Sequence, residues 1–244
     1  MAYAVQWLRS FAFLVAMYGG MAVIGIVFFP WAMVSRRGAR SACINWSRFT
    51  RWCAGWMVGL KTEVRGTPPS GEVIIASKHQ SFLDIILLFA SLPSARFIMK
   101  RELLWAPVLG QYAMRIGCVP VDRGKRGAAI AKMLSDVERG AIEPGQLIIY
   151  PQGTRVAPGV KMPYKVGAAL LYKQTGQPCV PAATNVGLFW PRKGIYRKPG
   201  LAVVEFLPEI PPGLTKTAFL QRLESEVETA SDRLHEEGMR HAKD

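Results

Sequence analysis

His79 and Asp84, five positions apart, are the residues of this sequence best suited to acid–base chemistry. An imidazole titrates near neutrality and can take a proton from a hydroxyl, while a carboxylate on its far nitrogen fixes the tautomer and stabilises the cation that forms. Spacing alone does not join them, because residues five apart on a regular helix sit roughly 140° from each other around the axis. They meet only if His79 lies in a non-helical turn, with Ser81 as the N-cap of a helix and Asp84 in its first turn. The plain alternative is a histidine at a helix start and an aspartate favoured there by the helix dipole. Only three histidines occur, and His235 and His241 fall in a charged C-terminal stretch, so a histidine base in this chain is His79.

The flanking residues suit that turn. Val73-Ile74-Ile75-Ala76 reads as a buried strand leading into it, and Ile85 to Ala90 reads as the body of a helix leading out. Further strands are expected at 96–99, 118–121, 146–150, 179–185 and 201–206, and helices at 102–115, 126–139, 165–175 and 215–237. Alternation of this kind predicts an α/β fold.

Three other stretches have the residue types that hold phosphate. Val119 to Lys125 places Arg123 after a strand, and Tyr150-Pro151-Gln152-Gly153-Thr154-Arg155 places a glycine turn, a hydroxyl and an arginine after another. Phe97 to Leu103 does the same with Lys100 and Arg101. Guanidinium groups grip phosphate oxygens in pairs, and glycine turns let backbone N–H groups face an anion. In α/β sheets such groups collect at the C-terminal ends of strands. The chain contains no G-x-S-x-G elbow, Walker A loop, G-x-G-x-x-G or H-E-x-x-H. Without an activated nucleophile, direct displacement driven by a histidine base is the economical chemistry.

Composition narrows the setting. The 244 residues are 50% hydrophobic, with a net charge of +14, and the mean hydropathy is +0.15 with a pI near 10.0. A chain both basic and apolar suits an anionic membrane surface or an acidic substrate, and no nucleic-acid-binding module is present. Cys43, Cys53, Cys118 and Cys179 have no C-x-x-C spacing and read as reduced thiols; no metal site is expected.

Residues 11–34 carry no charge and are long enough to cross a bilayer, with Gly19-Gly20 and Pro30 as interruptions that would also permit a bent segment. Arg36, Arg37 and Arg40 follow at once, which places that end on the cytoplasmic side. Over 38–60, Trp46, Phe49, Cys53, Trp56, Met57 and Leu60 share one helical face and Arg37, Arg40, Arg48 and Arg51 the other, the pattern of a helix lying among headgroups. Thr67-Pro68-Pro69-Ser70-Gly71 marks a break. We expect membrane-associated helices over 1–62 and a catalytic domain over 63–244.

Together these blocks resemble the glycerolipid acyltransferase family that includes the 1-acylglycerol-3-phosphate (lysophosphatidic acid) acyltransferases. Lys78-His79 through Asp84 matches the family's N-H-x4-D block, with Lys78 in place of asparagine, where it would add to the positive field. Gly117 to Arg123 matches the second block and Val180-Pro181-Ala182 the fourth. The third, usually F-P-E-G-T-R, appears as Tyr150 to Arg155 with Gln152 replacing glutamate. The resemblance runs from about residue 72 to 190.

It implies a mixed sheet flanked by helices and a transfer of an acyl group from acyl-CoA or acyl-carrier protein to the sn-2 hydroxyl of 1-acyl-glycerol-3-phosphate, giving phosphatidic acid. His79 would be the base and Asp84 its orienting partner. Arg123, Gln152, Gly153, Thr154 and Arg155 would hold the glycerol phosphate, with Lys100 and Lys165 as further anion contacts and Gly153 near an oxyanion site. No cofactor or metal is implied beyond the donor, and the setting would be the cytoplasmic face of a bacterial inner membrane. Two alternatives remain open at this point. One is transfer to another lysolipid, such as a lyso-aminolipid; the other is an inactive lipid-binding membrane accessory protein, suggested by Gln152.

Overall fold

Strand β2 (Val73–Ser77) is buried along its whole length and sits at the middle of the molecule. The computed structural model describes residues 2–121, 131, 135 and 145–241. Within them, Val73 and Ile75 face one apolar layer, while Ile74 and Ala76 face another. Side chains on a strand alternate between faces, so a strand buried on both reads as an apolar run, as Val73 to Ala76 of β2 shows before the buried Ser77.

Six more strands complete the sheet: β1 (Leu60–Arg65), β3 (Ala95–Lys100), β4 (Val119–Val121), β5 (Gln146–Ile149), β6 (Cys179–Thr184) and β7 (Gly200–Phe206). Their order is β1-β7-β6-β2-β5-β3-β4. All neighbours run parallel except β6 and β7, so the sheet is mixed, as expected. On one face pack α1 (Ala2–Val34), α2 (Arg36–Val58), α3 (Leu83–Ser91) and α4 (Leu109–Arg115). On the other lie α5 (Gly167–Thr175) and α6 (Lys216–His241), where the Tyr172 and Phe219 rings stack at 4.0 Å.

The structure departs from the sequence expectations in four places. Strand β1 straddles the expected boundary between 62 and 63, so the sheet begins directly after α2. Its Leu60-Lys-Thr-Glu-Val-Arg has little apolar content because it is an edge strand, and Gly59, left-handed at φ 70°, ends α2 immediately before it. The single helix expected over 102–115 is instead a 3-10 turn, Arg101–Trp105, followed by α4. Pro107 accounts for the break, since the residue before a proline avoids helical angles and Ala106 is extended at ψ 122°. Of the helix expected over 126–139, residues 131 and 135 are described and both are helical, and the remainder lies outside the described residues.

The third and fourth departures concern the N-terminal helices. Gly19-Gly20 does not interrupt α1. Gly20 instead admits the Phe49 ring of α2, whose carbon would stand 2.2 Å from a β-carbon there. In α2 the buried face is one of small residues, Ala39, Ala42, Ser47 and Ala54 among them, while Trp52 and Trp56 stack on each other and stand exposed. Arg40 and Arg51 turn onto the domain, to the Pro93 carbonyl and the Thr62 hydroxyl, rather than away from it.

Helix α1 is the one segment among the described residues long and apolar enough to cross a membrane. It is nonetheless tied to the rest of the protein from end to end. Gln6 donates to the carbonyls of Val58 and Arg197 at 3.0 and 2.8 Å. The Trp46 indole donates to the Met17 carbonyl at 3.0 Å, the Tyr112 hydroxyl to that of Gly25 at 2.6 Å, and Arg115 to that of Met33. Its other side, with Leu8, Val15, Val23, Ile26 and Val27, is exposed.

Candidate active site

Strands β2 and β5 run side by side with Ala76 opposite Ile149, so the chain leaves the sheet at neighbouring points. His79 follows one strand and Tyr150 the other. Between β2 and α3 the chain makes a non-helical turn, and Asp84, fully buried in the first turn of α3, closes it. One carboxylate oxygen, Oδ2, accepts the backbone N–H groups of Gln80 and Ser81, each at 2.8 Å. The other, Oδ1, lies 2.9 Å from His79 Nδ1. Ser81 Oγ accepts the Leu83 amide at 3.0 Å, the capping contact expected of it, although the backbone is already helical at Phe82.

This geometry answers the spacing question. The pair meets because His79 stands outside the helix, and the same carboxylate that orients the ring also holds the turn. A carboxylate with backbone donors on one oxygen remains an acceptor toward Nδ1, so the proton sits on Nδ1 and Nε2 is left as a base.

His79 lines a cavity of about 350 Å³. Thr154, Arg155, Lys100 and Arg192 line it too, while its apolar walls include Met21 and Ile24 of α1, Trp46 of α2 and Ile86 of α3. The structure therefore brings His79, Lys100, Thr154 and Arg155 to one space. Gln152 and Lys165 do not line it, and Arg123 lies outside the described residues.

The loop after β5 is built around Gly153, left-handed at φ 69°, where a β-carbon would lie 2.6 Å from Lys165 Nζ. The Gly153 N–H is taken by the Tyr150 carbonyl at 2.8 Å, so this group closes the turn. Gln152 is buried beneath the loop, its amide nitrogen 3.4 Å from the Met162 carbonyl and its oxygen without a partner among the described residues. The Val156 amide donates to the His79 carbonyl at 2.8 Å, which ties the loop to the turn.

Lys78 does not add to the field of the cavity. Its side chain is buried and points to α6, where Nζ meets Glu228 Oε2 at 2.5 Å; Tyr164 donates to the other oxygen of Glu228 at 3.0 Å. Successive residues leaving a strand face opposite ways, so with His79 directed at one side Lys78 is directed at the other.

Two residues of the site were not singled out by sequence. Tyr150 stacks on His79, and its hydroxyl donates to Asp84 Oδ1 at 3.2 Å. Its signal was present as the aromatic residue opening the third block. Arg192 reaches the cavity from the loop after β6 and donates to the Arg155 carbonyl at 3.2 Å. Nothing local in Trp190-Pro191-Arg192 announces that role.

Residues 61–185 match the sequence model of the family described as Acyltransferase. The chain is 28% identical over 208 residues to the 1-acyl-sn-glycerol-3-phosphate acyltransferase of Pseudomonas aeruginosa, covering 84% of this chain and 81% of that protein. It is 30% identical over 208 residues to 1-acyl-sn-glycerol-3-phosphate acyltransferase alpha of Mus musculus, covering 82% and 72%. The human alpha protein is 34% identical over 166 residues, covering 66% and 59%. The crystal structure of PlsC, the 1-acyl-sn-glycerophosphate (LPA) acyltransferase of Thermotoga maritima, covers 96% of this chain and 99% of its own at a TM-score of 0.80, a likeness of fold at 17% identity. With the family model spanning the turn, the loop after β5 and strand β6, this chain belongs to the Acyltransferase family.

Proposed function

We propose that this protein transfers a fatty acyl group from an acyl thioester to the sn-2 hydroxyl of 1-acyl-glycerol-3-phosphate, forming phosphatidic acid. One observation carries the reading: His79 lines one cavity together with the cations Lys100, Arg155 and Arg192 and a largely apolar wall. A substrate with a phosphate, a hydroxyl and a hydrocarbon chain matches those three surfaces. The names of the relatives point the same way.

His79 Nε2 takes the hydroxyl proton as the alkoxide oxygen bonds to the thioester carbonyl carbon. The carbon–sulfur bond then breaks, and the imidazolium returns the proton to the leaving thiolate. Asp84 orients the ring throughout. Arg155, with Arg123 from the second block, holds the phosphate, Thr154 stands beside it, Lys100 adds positive charge to the lining, and Lys165, outside the lining, supports the Gly153 turn. Gln152 and Gly153 shape the loop that presents Arg155.

The exposed apolar side of α1 is the membrane face. Because α1 is bonded to the domain along its length, the helix lies in one leaflet rather than standing across the bilayer, with Trp52 and Trp56 beside it and Arg37 and Arg48 exposed for lipid phosphates. The bacterial inner membrane, with the domain on the cytoplasmic side, suits the arginines after α1.

The test is acyl transfer by detergent-purified protein, wild type beside His79→Ala, with acyl-CoA and acyl-carrier-protein donors offered separately. Phosphatidic acid formed by wild type and reduced about 10²–10⁴-fold in the variant is expected. Transfer to a lyso-aminolipid but not to lysophosphatidic acid overturns the acceptor, and no transfer to either overturns the activity.

A further inference from the structure

The Tyr150 ring lies over the His79 imidazole with centroids 3.9 Å apart and planes 18° from parallel. Its hydroxyl donates to Asp84 Oδ1, the oxygen that also accepts His79 Nδ1. Tyr150 thus touches both partners of the pair, the base by its face and the carboxylate by its edge. Phe97 continues the stack behind it, at 6.3 Å and 16°. Sheet register sets the arrangement: Phe97 pairs with Ile148 across β3 and β5, and Tyr150 emerges from β5 next to the turn that carries His79.

A phenyl ring would supply the stacking alone. The hydroxyl adds a fourth donor to a buried carboxylate that already accepts two backbone N–H groups and an imidazole. Each donor spreads the charge on the carboxylate, and an imidazolium is stabilised by the charge that remains on the oxygen facing it. We propose that Tyr150 is a positioning residue of the His79–Asp84 pair: its ring holds the imidazole plane, and its hydroxyl draws charge from Asp84 so that His79 stays a neutral proton acceptor at lower pH. The proposal rests on the reading of His79 as the base.

The hydroxyl can play this part because it keeps its own proton. Burial first, and then the neighbouring Asp84 carboxylate, push the phenol well above its ordinary value. Other charged or titratable groups share the cavity: Arg155 from the loop after β5, Lys100 from the end of β3, Arg192 from the loop after β6, Cys43 from α2, Tyr112 from α4 and Cys118 just before β4. The Cys43 thiol is pushed up to about 12, chiefly by burial, and carries no charge near neutrality. Lys78 is turned away to Glu228. Among all of these, Asp84 is hydrogen-bonded to the imidazole and Tyr150 is stacked on it.

The test is Tyr150→Phe, which removes one oxygen and leaves the ring. With three histidines in the chain, the imidazole signals can be followed by NMR in detergent, and His79→Ala assigns the one that matters. The His79 signal is expected to titrate at higher pH in Tyr150→Phe than in wild type, by about half a unit or more. The acid limb of kcat/KM should move with it, while KM for the lysolipid is unchanged. In an Asp84→Asn background the substitution should produce no further movement, because the effect travels through that carboxylate. An unmoved midpoint in a folded Tyr150→Phe protein overturns the proposal, as does an equal movement without Asp84. A protein inactive on every lysolipid whose midpoint still moves upholds Tyr150's role and discards the acyltransferase reading.

Discussion

The ammonium of Lys78, one residue before His79, sits 2.5 Å from Glu228 Oε2, near the far end of the chain. Lys78 is 3% exposed and Glu228 14%, so both charges are largely out of water, and Tyr164 satisfies the second carboxylate oxygen. This contact fastens α6 to the turn that carries His79.

Removing one partner of such a pair leaves the other uncompensated. Lys78→Met should therefore destabilise the protein by about 3–5 kcal/mol. Lys78→Asn combined with Glu228→Gln should recover much of that loss, since no charge is then stranded. Thermal unfolding of wild type and the two variants in one detergent checks this; equal melting temperatures for Lys78→Met and wild type contradict it.

Asp84→Asn should cost nearly as much activity as His79→Ala, about 10²-fold or more, with KM for lysolipid little altered. An asparagine oxygen can still accept the Gln80 and Ser81 amides and keep the turn. Its amide group, facing Nδ1, would donate and move the ring proton to Nε2, where the base must be empty. Near-normal turnover in a folded Asp84→Asn protein shows that the carboxylate does not set the tautomer.

Gln152 stands where the family's third block usually has glutamate, and the reversion is predicted to be harmful here. A carboxylate at this buried position would face the Met162 carbonyl in place of the amide donor, without a hydrogen-bonding group at the other oxygen among the described residues. Gln152→Glu should lower stability by about 1–3 kcal/mol. A raised melting temperature instead would show that a cation of the loop reaches this site.

Two buried thiols give an alkaline limit to stability. Burial pushes Cys118 up to about 11, and Cys179 further in the same direction. Below the ordinary thiol range both are protonated whether the chain is folded or not, and the folded state loses nothing. Above about pH 9 the unfolded chain gives up these protons while the folded one retains them, so stability falls as pH rises toward 11. The melting temperature measured between pH 8 and 11 should decline less in a Cys118→Ala/Cys179→Ala variant than in wild type.

Much of the site was readable in the chain because it is local in sequence. His79, Ser81 and Asp84 lie within a single turn, and a turn's hydrogen bonds follow from residue type and order. Thr154 and Arg155 follow a buried strand, and the C-terminal end of such a strand fixes where they emerge. The two-sided burial of β2 is likewise written in its unbroken apolar run. Residues whose role depends on what crosses from elsewhere could not be read this way. Lys78 looked like part of a positive field until strand alternation and the passage of α6 placed Glu228 beneath it. Arg192 and the hydroxyl of Tyr150 gain their meaning from loops brought together by strand order.

The same division holds for α1. Length and lack of charge in residues 11–34 mark a segment long and apolar enough to cross a membrane. How it is held against the rest of the protein was decided by tertiary contacts spread from Gln6 to Met33. Hydropathy records the free energy of leaving water; orientation depends on which backbone carbonyls find donors on the folded domain, and those partners come from positions far away in sequence.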